Sequence, residues 1–180
     1  MSADRHPVGK RPPEVRRVLV LGGARSGKST FAEKLAAGLQ PPVVYVATAR
    51  ACDAEMAERI AHHRARRPST WRTIEVSLEV AGAVGSDART LVVEDLTFLL
   101  SNHMESDLGA AESRTIQEVE ALLAMETNVI LVSNEVGMGI VPDNALARTF
   151  RDALGRVNQA AAARCAEVYL IVAGLPLRVK

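Results

Sequence analysis

Short, nearly unbroken aliphatic runs alternate along this chain with longer segments whose apolar positions recur at helical spacing. Residues 17–21, 43–47, 91–94, 129–133 and 168–172 are dominated by valine, leucine and isoleucine. A strand apolar at almost every position suits burial on both faces, whereas a half-exposed strand alternates apolar with polar. Between these runs, residues 28–39, 54–66, 110–125 and 145–163 read as helices. Strands separated in this way by helices predict a mostly parallel sheet covered on both sides, a three-layer αβα domain. The closing stretch 174–180 predicts a short strand at the sheet edge, where Pro176 is tolerated.

The first run, Val18-Leu19-Val20-Leu21, leads directly into Gly22-Gly23-Ala24-Arg25-Ser26-Gly27-Lys28-Ser29 and then a helix. This is G-x-x-x-x-G-K-[ST] in the strand-to-helix setting that makes it a phosphate cradle, so the domain reads as P-loop NTPase-like. Glycines let the backbone approach the phosphates, successive N–H groups converge on their oxygens, and the positive end of the helix faces them. Lys28 reaches the β/γ-phosphates, and the Ser29 hydroxyl ligates Mg²⁺. A helix cap or structural turn would leave Lys28-Ser29 without a role.

Composition narrows the partners. With 22 Lys and Arg against 21 Asp and Glu, the net charge is +1, and aromatic residues make up 3%. Neither a basic field nor stacking platforms for nucleic acid are present, and no apolar run reaches membrane-spanning length. Cys52 and Cys165 lie far apart without metal-ligand spacing, which reads as two reduced thiols in a cytoplasmic protein. Residues 1–15 carry Pro7, Pro12 and Pro13 with no apolar segment of a signal peptide, and read as a flexible extension preceding one catalytic domain over 16–180.

A P-loop requires an acidic group at a neighbouring strand end to hold Mg²⁺, and Leu91-Val92-Val93-Glu94-Asp95 offers two. Strand alternation sends their side chains to opposite faces, so one of them points at the phosphates. On the second helix, Met56, Ile60 and His63 share the inward stripe, whereas His62 falls with Arg59 and Arg66 on a more polar face. Periodicity alone reads either histidine as a core or surface residue. The surrounding Arg59, Arg64, Arg66 and Arg67 would receive phosphates and favour a neutral imidazole, the form able to attack phosphorus. Asn134-Glu135-Val136-Gly137-Met138-Gly139 reads as a substrate loop or an ordinary glycine-rich connection, and the helix after it carries Arg148, Arg151 and Arg156.

Taken together, the P-loop, Val44-Tyr45-Val46-Ala47-Thr48-Ala49, Arg59-Ile60 with His63-Arg64, Trp71-Arg72-Thr73, and Ser133-Asn134-Glu135-Val136-Gly137-Met138-Gly139-Ile140-Val141-Pro142 resemble the bifunctional adenosylcobinamide kinase / adenosylcobinamide-phosphate guanylyltransferase family of cobalamin biosynthesis. The likeness runs from about Arg17 to Lys180, and its Asn-Glu-Val-Gly-Met-Gly loop is the specific part. The resemblance implies phosphorylation of adenosylcobinamide from ATP or GTP, then GMP transfer from GTP to that phosphate through a histidine-bound intermediate. It places the nucleophile on His63 and puts Thr48, Arg64, Ala65, Arg66, Arg67, Glu75 and Glu94 around the nucleotide, with Glu94 where the family usually has an aspartate. It further implies a homo-oligomer, a trimer. Two simpler readings compete. A single-activity kinase would make the histidine helix merely structural, and a GTP-binding switch would call for an N-K-x-D element that the chain lacks.

Overall fold

The computed structural model describes residues 15–50 and 54–180. The expected extension, apart from residue 15, and Cys52 therefore lie outside the described residues, as do the side chains of Met56 and His62. Chain order is β1 (Arg17–Gly22), α1 (Lys28–Ala37), β2 (Val43–Ala47), α2 (Ala54–Ala65), β3 (Arg72–Glu75), α3 (Val80–Ala83), β4 (Thr90–Glu94), α4 (Leu96–Ser106), α5 (Ala111–Ala124), β5 (Asn128–Asn134), α6 (Ala145–Arg164), β6 (Glu167–Val172) and β7 (Leu175–Arg178). The sheet has seven strands in the order β3-β2-β4-β5-β1-β6-β7. All pairs are parallel except β6 with β7.

Side-chain alternation divides the core into two layers. Val18, Val20, Tyr45, Val92, Ile130 and Val132 pack with Ala32 and Ala36 of α1 on one face. Leu19, Val44, Val46, Leu91, Val93, Val129 and Leu131 pack on the other face with Leu96 and Leu99 of α4, Val119 and Leu122 of α5, and Val157 of α6. Central strands thus bury both faces, as their unbroken aliphatic runs demand. The same parity carries one step further: Glu94 follows Val92 to the α1 face, and Asp95 follows Val93 to the α4 face.

Three elements are absent from the pattern read in sequence. Strand β3 is half-exposed and reads Arg-Thr-Ile-Glu, too polar to signal a buried strand. Helix α3 is a single turn. Helix α4 directly follows β4, and Asp95 is its N-cap, accepting a hydrogen bond from the Phe98 N–H at 2.9 Å. Leu96, Leu99, Leu100 and His103 form its buried stripe.

The carboxyl-terminal hairpin supports the P-loop. Its turn, Ala173 (φ 51°) and Gly174 (φ 80°), has positive φ at both central residues, matching the right-handed twist of the strands. Gly174 donates its N–H to the Ser26 carbonyl at 2.8 Å. A Cβ on Gly27, itself at φ 95°, would lie 3.1 Å from the Gly174 Cα. Two glycines are therefore needed where these loops touch.

Cys165, at the end of α6, is 2% exposed, and burial pushes its thiol up to about 11. An iodoacetamide reaction at pH 8 is expected to spare it in the folded protein and modify it after denaturation, as read by peptide mass mapping. Equal labelling in both states would show that the thiol is accessible.

Candidate functional site

The P-loop leaves β1 at its carboxyl end, between β5 and β6, where ligands of open α/β sheets bind. Arg25 (φ 56°) and Gly27 (φ 95°) adopt left-handed backbone, curling the loop into a cup. No side chain caps the amino terminus of α1, so its first N–H groups face the cup. Lys28 is 5% exposed and donates from Nζ to the Gly23 carbonyl at 3.3 Å, holding its ammonium over the loop. The adjacent cleft is lined by Lys28, Ser29, Tyr45, Ile60, His63, Arg67, Glu94, Asp95 and Phe98, among others.

Glu94 is the hub of that cleft. One carboxylate oxygen accepts from the Ser29 hydroxyl and the other from the Tyr45 hydroxyl. His63 Nδ1 lies 3.7 Å from Glu94 Oε1, with the imidazole 23% exposed. Burial, and next the negative charge of Glu94, hold the Tyr45 phenol well above its usual range, so it remains a proton donor to the carboxylate. The Arg67 guanidinium stacks 3.5 Å above the Tyr45 ring, and Trp71 stacks against the same ring with centroids 6.5 Å apart.

Asp95 has a different environment. Its carboxyl accepts from the Phe98 N–H and, at 3.3 Å, from the Asn134 side chain. Burial pushes it up to about 6, partly offset by the Phe98 hydrogen bond. Asn134 also bonds Thr97 at 2.8 Å and gives its carbonyl to Asn158, so the start of the loop after β5 is fixed to α4 and α6. Beyond it the loop is open, with Met138 78% and Ile140 97% exposed.

The residues expected around the nucleotide thus fall into two groups. Gly22, Gly23, Ala24, Arg25, Ser26, Gly27, Lys28 and Ser29 form the loop, and His63, Arg67 and Glu94 join it at the cleft. Thr48 does not line the cleft: it is fully buried, and its hydroxyl exchanges hydrogen bonds with the Asp95 backbone at 2.7 and 2.8 Å. Arg64 and Glu75 pair with each other on the surface at 3.4 Å. Arg66 bonds Thr30 and Glu33 of α1 at 2.8 and 2.9 Å, and Ala65 is exposed at the end of α2. Tyr45 and Phe98 are cleft residues to which the sequence assigned no role. The signal for Tyr45 was a lone aromatic in an aliphatic strand, aligned by register with Val92 and hence on the face of Glu94.

The family model "Cobinamide kinase / cobinamide phosphate guanyltransferase" matches residues 18–179. The chain belongs to that family. Among its relatives is the bifunctional adenosylcobalamin biosynthesis protein CobP of Pseudomonas aeruginosa, 48% identical over 91% of this chain and 97% of that one. The CobU proteins of Salmonella typhimurium and Escherichia coli are 43% and 42% identical, each matched over 91% of this chain and 99% of the relative. This member of the cobinamide kinase family also resembles a solved Pyrococcus horikoshii structure with a TM-score of 0.55 over 92% of this chain and 86% of that one; at 9% identity the likeness concerns the fold alone. Among the described residues no helix is long and apolar enough to cross a membrane.

Proposed function

We propose that this protein phosphorylates adenosylcobinamide from ATP or GTP and then transfers GMP from GTP to adenosylcobinamide phosphate, giving adenosylcobinamide-GDP. One observation carries the reading: a P-loop serine, a strand-end carboxylate and a histidine meet in one cleft, in a chain whose family carries both activities in its description.

For phosphoryl transfer, the P-loop N–H groups and the Lys28 ammonium hold the phosphates and oppose charge that builds in the transition state. The Ser29 hydroxyl and Glu94 carboxylate, touching each other, are a hard-oxygen donor pair that fits Mg²⁺. Once bound there, the ion would neutralise phosphate charge. For guanylyl transfer, Glu94 beside Nδ1 favours the ring proton on that nitrogen and leaves the Nε2 lone pair to attack. A bond forms between Nε2 and the α-phosphorus of GTP while the α–β bridging bond breaks and pyrophosphate leaves. A phosphate oxygen of the corrinoid then attacks the same phosphorus, and the N–P bond breaks. Arg67 beside the ring supplies positive charge for the phosphates.

The exposed apolar loop, Met138, Ile140 and Val141, together with Leu175, Leu177 and Val179 of the terminal hairpin, supports a homo-oligomer, which the family resemblance makes a trimer. A cytoplasmic location fits the substrates.

The direct test is incubation with GTP labelled at the α-phosphate; acid-labile label on the protein is expected, and its absence leaves only a kinase. The metal assignment has its own check. Glu94→Gln is expected to lower Mg²⁺-dependent phosphorylation by about 10²-fold, because charge contacts in such sites contribute at that scale. Asp95→Asn should cost less than about tenfold, since asparagine caps α4 as well. Greater damage from Asp95→Asn would move the metal ligand to the opposite face of the strand.

A further inference from the structure

Beside His63 and Glu94 stands a third donor, Glu33, that neither reaction requires. Glu33, one turn along α1 from Ser29, brings a carboxylate oxygen toward His63 and Glu94, and one donor atom from each of the three lies within 4.8 Å of the others. The His63–Glu94 separation is 3.7 Å. Ligands of a tetrahedral ion with bonds of about 2.0–2.1 Å stand about 3.3 Å apart, so side-chain rotations would close the set. Glu33 is poised for this. Arg66 holds its Oε2 at 2.9 Å, whereas Oε1 is buried and has no hydrogen-bond partner. Burying a carboxylate oxygen unsatisfied is costly unless something binds it. The side chain is 12% exposed, and its arginine partner orients it from behind, as second-layer groups orient metal ligands.

We propose that Glu33, His63 and Glu94 form a binding site for a divalent transition-metal ion of the Zn²⁺ class, and that filling it takes the His63 imidazole away from the nucleotide. The donor set decides the class. One imidazole nitrogen with two carboxylates suits zinc and its neighbours, while Mg²⁺ favours oxygen donors alone and does not compete for the ring. Coordination at Nδ1, the nitrogen that faces Glu94, moves the ring proton to Nε2 and leaves no lone pair there to attack phosphorus. Glu94, shared with Ser29, would be drawn from the nucleotide as well. The binding half stands on the donor geometry; the inhibitory half rests on the guanylyl-transfer reading above.

Titration calorimetry of metal-stripped, nucleotide-free protein with Zn²⁺ alone tests the site, and Co²⁺ supplies a spectroscopic probe through its visible bands. One ion per chain is expected, bound at least roughly tenfold more weakly after Glu33→Gln and after His63→Ala, with thermal melts checking that both variants fold. Zn²⁺ should suppress the acid-labile GMP adduct, a chelator should restore it, and Glu33→Gln should form the adduct normally while resisting zinc. Zinc affinity unchanged by either substitution overturns the site. An adduct indifferent to zinc in the unaltered protein overturns the inhibition. If no adduct forms even without zinc, the guanylyl-transfer reading fails, and calorimetry alone decides the site.

Discussion

Replacing His63 with alanine is expected to abolish the covalent GMP adduct and nucleotide transfer while phosphorylation of adenosylcobinamide continues. The γ-phosphoryl group passes directly to the acceptor hydroxyl, and nothing in that step needs an imidazole nucleophile. Guanylyl transfer divides one difficult displacement into two, and His63 is the imidazole among the described residues of the cleft, where Ser29 is engaged with Glu94 and Lys28 bonds the Gly23 carbonyl. His63 lines the cleft together with Ile60, as the helical stripe predicts. His62→Ala should therefore keep the adduct. Mass spectrometry of GTP-treated variants reads the outcome; an adduct that survives in the His63 variant and vanishes in the His62 variant assigns the nucleophile to the neighbouring position.

The second large effect is on the kinase step. Lys28→Ala should lower phosphoryl transfer by about 10² to 10³ at saturating nucleotide, the usual loss when one transition-state charge contact is removed. Lys28 is buried not in the apolar core but against its own loop, tied to the Gly23 carbonyl, so the thermal midpoint should move little. Turnover retained at saturating Mg-nucleotide would refute the role of this loop in catalysis.

Much of this architecture is legible before any coordinates. The five central strands and four long helices announce themselves because a strand buried on both faces must be aliphatic throughout, and each helix carries a periodic apolar stripe. The P-loop is legible for another reason: its glycines and Lys28-Ser29 are required by chemistry local in sequence. What is missed follows from tertiary context. Strand β3 exists because β2 offers it an edge, with Tyr45 paired to Thr73, rather than because its own residues favour a strand. Helix α4 starts without a connecting loop, so Asp95 reads as a strand-end acid when it is also a helix cap. At the site, Glu94 meets Ser29 of α1 and Asp95 caps α4 as alternation suggests, yet both line the cleft, and the buried clip made by Thr48 and the Tyr45 contact with Glu94 depend on strand register, which only the folded sheet supplies.

The meeting of Gly27 with Gly174 means that the most distant part of the chain sets the shape of the first functional loop. Residues 173 and 174 are not among those that line the cleft, yet the Gly174 N–H holds the Ser26 carbonyl of the phosphate loop. A Cβ at position 174 would meet open space, so a substitution there would cost only the strain of its φ of 80°, whereas a Cβ at position 27 would press on the Gly174 backbone at 3.1 Å. Gly27→Ala is therefore expected to push the turn and the loop apart and to loosen nucleotide affinity through KM. The hairpin turn acts as the backstop of the grip on nucleotide.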